Sequence, residues 1–123
     1  MAAPNIVNVS SIIGITTFVA NISTSGSVIM TNAANSNTVY KVNTLLASNT
    51  SSSSANITVK YSGQAAGAGT SVSIGTTISV PSGSTLALIG KDTPIYVEED
   101  KSILALAGTA GTIDIIASYE TIS

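Results

Sequence analysis

The chain has 123 residues, of which 8% are charged, a net charge of -2, and neither histidine nor cysteine. That length suits one ordinary domain. The missing residue types exclude disulfides, thiolate metal sites, thiol nucleophiles and the usual general base near neutral pH.

The remaining charge is unevenly spread, with no charged side chain before Lys41. Soluble domains typically carry roughly 25% charged residues, and here serine, threonine and asparagine stand in their place. So little net charge leaves little repulsion between copies. The expectation is a protein whose surface is largely covered by neighbours, a homo-oligomer or part of a larger body. Apolar, β-branched residues are plentiful, which argues against disorder.

Residues 1–10 are uncharged and hold Ile6, Val7 and Val9 ahead of the first long strand. They read as candidate assembly contacts, either an arm that adds to a neighbour's sheet edge or a first strand of the domain formed by 11–123. The opening MAAPNIVNVSSIIGITTFVA lacks the basic leader and cleavage region of a secretory signal, so synthesis in a cytoplasm is expected. Strands are then expected in IIGITTFVANI, SVIMT and TVYKVNTLLAS. NITVKY alternates, with Ile57, Val59 and Tyr61 facing one way and Asn56, Thr58 and Lys60 the other. SVSIGTTISV puts Val72, Ile74, Ile78 and Val80 on one face, and Gly75 with the threonine pair marks a kink or split. STLALIG and SILALAG follow. TIDIIASYE closes the series, with Ile113, Ile115, Ala117 and Tyr119 inward and Asp114, Ser118 and Glu120 outward.

That makes about eight strands, separated by STSGS, NAANSN, NTSSSSA, GQAAGAG, VPSGS and GTAGT. QAAGAGT carries two glycines and no apolar stripe, so it reads as a loop. Pro81 and Pro94 belong at strand edges or in loops. LLASNTSSSSANITVKY and LALAGTAGTIDIIASY read as two similar hairpins. No apolar run approaches the roughly 18 residues of a membrane helix. Strands at this spacing without helices predict an all-β fold, a single antiparallel β-sandwich of jelly-roll-like type.

Chemistry is sparse. The serines have no histidine partner, and no GxxxxGK[ST] is present. The one concentration of charge is Glu98, Glu99 and Asp100, with Asp92 and Lys101 nearby. Consecutive carboxylates on an extended chain point in alternating directions, so a solvated turn is expected, with calcium or a basic neighbour as the alternative. Paired carboxylates drawn from this cluster with Asp114 or Glu120 would lack the aromatic platforms of a sugar-cleaving cleft. Four lysines, no arginine and net negative charge do not suit nucleic acid. The tyrosines at 40, 61, 96 and 119 read as core and edge packing, with Tyr96 the sole candidate platform for a carbohydrate. Asn8, Asn21, Asn49 and Asn56 begin N-x-[ST] triplets, expected by chance in so Asn- and Ser-rich a chain. No catalytic, cofactor-binding or metal-ligating residue is assigned, and no enzyme activity is expected.

Three segments, MAAPNIVNVSSIIGITTFVA, VYKVNTLLASNTSSSSANITV and PIYVEEDKSILALAGTAGTIDIIASYETIS, resemble the small virion structural proteins of marine cyanophages with contractile tails. The most telling part is the end, with Tyr96, Glu98 and Glu99 in a turn and Ser118, Tyr119 and Glu120 near the terminus. The resemblance implies a non-enzymatic component of the virion, present in several or many copies and assembled in the host cytoplasm. A capsid decoration or cement protein bound to the major capsid protein is the expected role. A neck, tail or fibre component is the first alternative, and a receptor- or carbohydrate-binding module the second.

Overall fold

Alternation in NITVKY and TIDIIASYE has the effect that period two requires. In the computed structural model, which describes residues 10–90 and 92–123, Ile57, Val59, Ile113, Ile115 and Ala117 are buried while Tyr61 and Tyr119 are half-buried at the rim. Nine strands are found among the described residues: β1 (Ile12–Val19), β2 (Ser27–Asn32), β3 (Val39–Asn49), β4 (Ala55–Ser62), β5 (Ser71–Val80), β6 (Thr85–Ile89), β7 (Ile95–Val97), β8 (Lys101–Ala107) and β9 (Ile113–Ile122). The strand beyond the expected eight is β7, whose three residues are too short to show a period. One 3-10 turn, Ala65–Gly67, interrupts the loop before β5.

The strands form two antiparallel sheets, ordered β1-β9-β3-β6 and β2-β8-β4-β5, with β7 pairing beside β6 on the same edge of β3. The all-β sandwich expected from the sequence is therefore present. The two presumed hairpins are not. β3 and β4 lie in different sheets, as do β8 and β9. Their loops cross from one sheet to the other, because each strand has an apolar face that meets the core from its own side. Similar polar turns looked alike in sequence but span the sandwich instead of closing a ladder.

The core lies between the sheets and draws on both, with Leu45, Val42, Ile57, Val59, Ile89, Ile103, Ile113 and Ile115 at most 1% exposed. Val42 and Leu45 are three residues apart yet both point inward. Asn43 is an extra residue in the β3–β9 ladder, and the bulge resets which face later side chains take. In β5 the expected buried face holds only in part. Val80 is buried and Ile74 and Ile78 are half-buried, but Val72 is 68% exposed. The β4–β5 register breaks twice on either side of Val59, Thr77 adopts φ 49, and its amide donates to the Thr58 hydroxyl at 2.9 Å. The breaks fall at Gly75 and the threonine pair, where a kink was expected. Any side chain at Gly75 would place its Cβ 2.6 Å from Ile78 Cδ1 and 3.0 Å from Leu88 Cδ2.

Buried polar side chains then tie the loops to this frame. Asn32 Nδ2 donates to the carbonyls of Thr38 and Val97, at 2.7 and 3.0 Å, and its Oδ1 accepts from the Ser36 hydroxyl. Asn49 Nδ2 donates to the carbonyls of Ser53 and Val80, both at 2.8 Å. Its Oδ1 accepts from the Ser51 amide and hydroxyl at 2.9 and 2.7 Å.

Candidate functional site

The acidic segment was expected to be a solvated turn, and only Glu98 is. Glu99 is 3% exposed and accepts from the Asn37 amide at 2.9 Å, while Asp100 accepts from the Ala65 amide at 3.1 Å. Glu99 and Asp100 thus serve different loops, and no group of three acidic, histidine or cysteine residues is placed to hold a metal among the described residues. Asp100 Oδ1, the Thr31 hydroxyl and the Ser102 hydroxyl take the successive amides of Ala65, Ala66 and Gly67. A turn with three aligned amides could hold an anion, but here the protein's own oxygens occupy it.

Tyr40 and Tyr119 pack together with ring centroids 5.0 Å apart. The Tyr61 hydroxyl donates to the Tyr96 carbonyl at 3.0 Å. Burial pushes the Tyr61 phenol above its usual value, the Glu98 carboxylate adds to the rise, and a backbone hydrogen bond at Glu98 offsets part of it. Burial likewise raises Tyr119, with Tyr40 adding to it. A raised folded-state value means that the unfolded chain loses these protons first. Stability is thus expected to hold below about pH 10 and to fall as pH rises through the folded-state values. Urea midpoints measured across that range should drop less steeply in Tyr61→Phe than in the parent chain, and equal slopes would remove Tyr61 as a cause.

The glycosylation triplets divide by structure. Asn49 is 2% exposed with its side-chain nitrogen doubly engaged, so it is closed to modification, whereas Asn21 and Asn56 are exposed. Asn8 lies outside the described residues, as do the candidate assembly contacts Ile6, Val7 and Val9.

What stands out is an edge that the sequence reading did not single out. β1 pairs with β9 through eight unbroken positions, from Ile12 opposite Ile122 to Val19 opposite Ile115. Ser11 and Ser123 exchange both backbone hydrogen bonds at 2.9 Å, which makes them a bonded pair. Bonded and non-bonded pairs alternate in an antiparallel ladder. The odd-numbered residues of β1 therefore turn their backbone groups to β9, while Ile12, Gly14, Thr16 and Phe18 turn theirs to the opposite side. Among the described residues no strand pairs along that side.

The side chains there are apolar on both faces. Ile12 is 54% exposed, Ile13 56%, Ile15 38% and Phe18 73%, and Ile116, opposite Phe18 on β9, is 42% exposed. Phe18 and Ile116 border an open hollow of about 400 Å³ on the outer sheet face, floored by Ser48, Thr50 and Asp114. An exposed, unbroken apolar edge strand is a template for pairing with another chain, and proteins normally blunt such edges. The other edges here are blunted. β2 has a register break at Ile29, and its Thr31 is engaged by the 65–67 turn. β5 is broken twice, and β6 and β7 are only five and three residues long. β1 has neither charge, proline nor bulge.

No family model matches this chain, and no curated protein matches it. A solved chain from Bacillus endospore appendages, described as a family of disulfide-linked pili, superposes with a TM-score of 0.53 at 20% identity, over 91% of this chain and 88% of that one. At that identity the likeness speaks for the fold alone. The absence of cysteine here means that disulfide linkage cannot carry over. The chain is an all-β sandwich of two antiparallel sheets, whose Glu99, Asp100, Asp114 and Glu120 carboxylates are each engaged by a different partner.

Proposed function

We propose that the chain is a structural subunit of a virus particle, a capsid decoration protein that binds the major capsid protein in the virions of cyanophages with contractile tails. The observation that carries a structural, assembling role is the unguarded apolar strand β1 on a sandwich that guards its other edges. A small charge-poor sandwich can cover seams between capsid subunits and add burial across each joint without chemistry. The strand order supports reading the sandwich as a jelly roll, since β1-β9-β3-β6 against β2-β8-β4-β5 interleaves two Greek keys and leaves β7 as a short addition. Jelly rolls recur in viral capsid domains, and the resemblance of the three sequence segments points the same way.

A second reading is a tail, neck or fibre component, a role compatible with a fold also found in a chain of endospore-appendage pili. A carbohydrate-binding role has only Tyr96, 41% exposed, to recommend it. Quantitative mass spectrometry of purified particles against the major capsid protein separates these roles. Hundreds of copies per particle are expected for a decoration protein; a few to a few tens would move the chain to the neck, tail or fibres. Absence from particles would overturn the virion reading.

A further inference from the structure

The free side of β1 is self-complementary, and we propose that it is the site of a two-fold contact in which β1 of one copy pairs antiparallel with β1 of a second copy. The inference rests on the reading of β1 as the assembly strand and adds its partner and register. A two-fold axis normal to the sheet brings outer face beside outer face, so opposite residues must share a face. The residues whose backbone groups point outward, Ile12, Gly14, Thr16 and Phe18, must also be the ones that bond across the junction.

Centring the axis on Ile15 meets both conditions and uses most of the strand. Ile12 then lies opposite Phe18 of the partner subunit, and Gly14 opposite Thr16 of the partner subunit, as bonded pairs. Ile13 faces Thr17 of the partner subunit, and Ile15 faces the partner's Ile15, as non-bonded pairs. The two exposed outer-face apolar side chains, 54% and 73% exposed, thus cover one another. Centring one residue later would set Phe18 against glycine and Ile12 beyond the strand end. β1 has no charged residue, so the two-fold sets no like charges opposite each other. The other edges of the chain offer no equally regular mate. Ser10 and Ser11 both donate to the Ser123 carbonyl, at 2.6 and 2.9 Å, so the chain already runs along β9 as it enters β1. Residues 1–9 of the same chain would have to reverse before Ser10 to reach the free side.

The register makes a sharp test possible, because the parent chain has no cysteine. Residues directly opposite at a non-bonded pair have Cα atoms about 4.5 Å apart, within disulfide range. Ile15→Cys should therefore form a covalent dimer on mild oxidation. Ile13→Cys should not, since its own counterpart lies four residues along the ladder, roughly 13 Å away. Mixing Ile13→Cys with Thr17→Cys should restore cross-linking, and Ile15→Cys should still cross-link after removal of residues 1–9. Sedimentation of the unmodified chain should give a dimer, which guards against a variant that fails to fold. A monomer in sedimentation, equal cross-linking of Ile13→Cys and Ile15→Cys, or loss of the dimer on removing residues 1–9 would each overturn the proposal. A monomeric chain that is nonetheless abundant in particles would sink the two-fold contact and leave the structural role standing.

Discussion

Leu45→Ala is expected to destabilise the fold by about 3 kcal/mol, within the roughly 2–5 kcal/mol typical of emptying a buried leucine site. Leu45 is fully buried at the middle of β3, opposite Ala117 on one side and Ile89 on the other. β3 is the one strand here that pairs with three others, β9, β6 and β7. Its neighbour Ala117 is small and cannot swing in to fill the space, so the cavity should persist. Domains of this size are stable by only about 5–15 kcal/mol, so one substitution would remove a large share. The check is a urea titration in which the midpoint falls and the slope stays constant. Phe18→Ala is the control. It removes a larger side chain, but one 73% exposed, and should leave the stability of the subunit nearly unchanged when titrated below the concentration at which the chain dimerises. Equal losses from the two substitutions would contradict the core and edge assigned to this sandwich.

That contrast also shows which parts of the structure were legible in the sequence. Alternation located the inward faces of β4 and β9 correctly, because period two survives wherever a strand is regular. In β5 it put Val72, opposite Tyr61, on the inward face but did not show that a position near the end of an edge strand leaves it 68% exposed, and it could not foresee that Val42 and Leu45 would share a face across the Asn43 bulge. A bulge changes parity without changing composition, so no local count reveals it. The same limit hid the crossovers. A polar turn between two apolar strands is compatible with a hairpin or an arch, and only long-range pairing decides between them.

The candidate site was half legible. A charge-free stretch up to Lys41 points to covered surface, and residues 1–10, an arm or a first strand that lies outside the described residues except for Ser10, hold candidate assembly contacts. The strand after them carries a clearer signal. Ile12, Ile13, Ile15 and Phe18 place apolar groups on both faces of one strand, a pattern that suits either a central strand or an edge that another chain completes. Sequence alone does not say which. Among the described residues β1 pairs on one side only, with β9, which makes it an edge, and the guarded state of β2, β5, β6 and β7 makes it the exceptional one. The acidic turn was misread for a different reason. Whether a carboxylate is solvated depends on the loops that close over it, and the amides of Asn37 and Ala65 come from elsewhere in the chain.

The second large effect is expected at Asn49, where hydrophobicity plays no part. Its side chain is buried and makes four hydrogen bonds, two donated to the carbonyls of Ser53 and Val80 and two accepted from Ser51. Asn49→Ala would strand the Val80 carbonyl in the interior, while Ser51 and Ser53 lie nearer to water, so a loss of about 2–3 kcal/mol is expected. Asn49→Asp separates hydrogen bonding from packing, because the shape is kept. An ionised carboxylate can still accept from Ser51 but faces two carbonyl oxygens with nothing to donate. Burial and those carbonyls would raise its folded-state pKa above the unfolded value of about 3.9. The protonated form can donate to one carbonyl. Stability of Asn49→Asp should therefore be highest below about pH 4 relative to the parent, and should be lost as pH rises through the raised value. Denaturant midpoints of the two chains compared from about pH 3 to pH 7 would show the gap widening with pH. A gap independent of pH would mean that the loop is held by shape alone, and that the paired carbonyls of Ser53 and Val80 contribute little to closing this end of the sandwich.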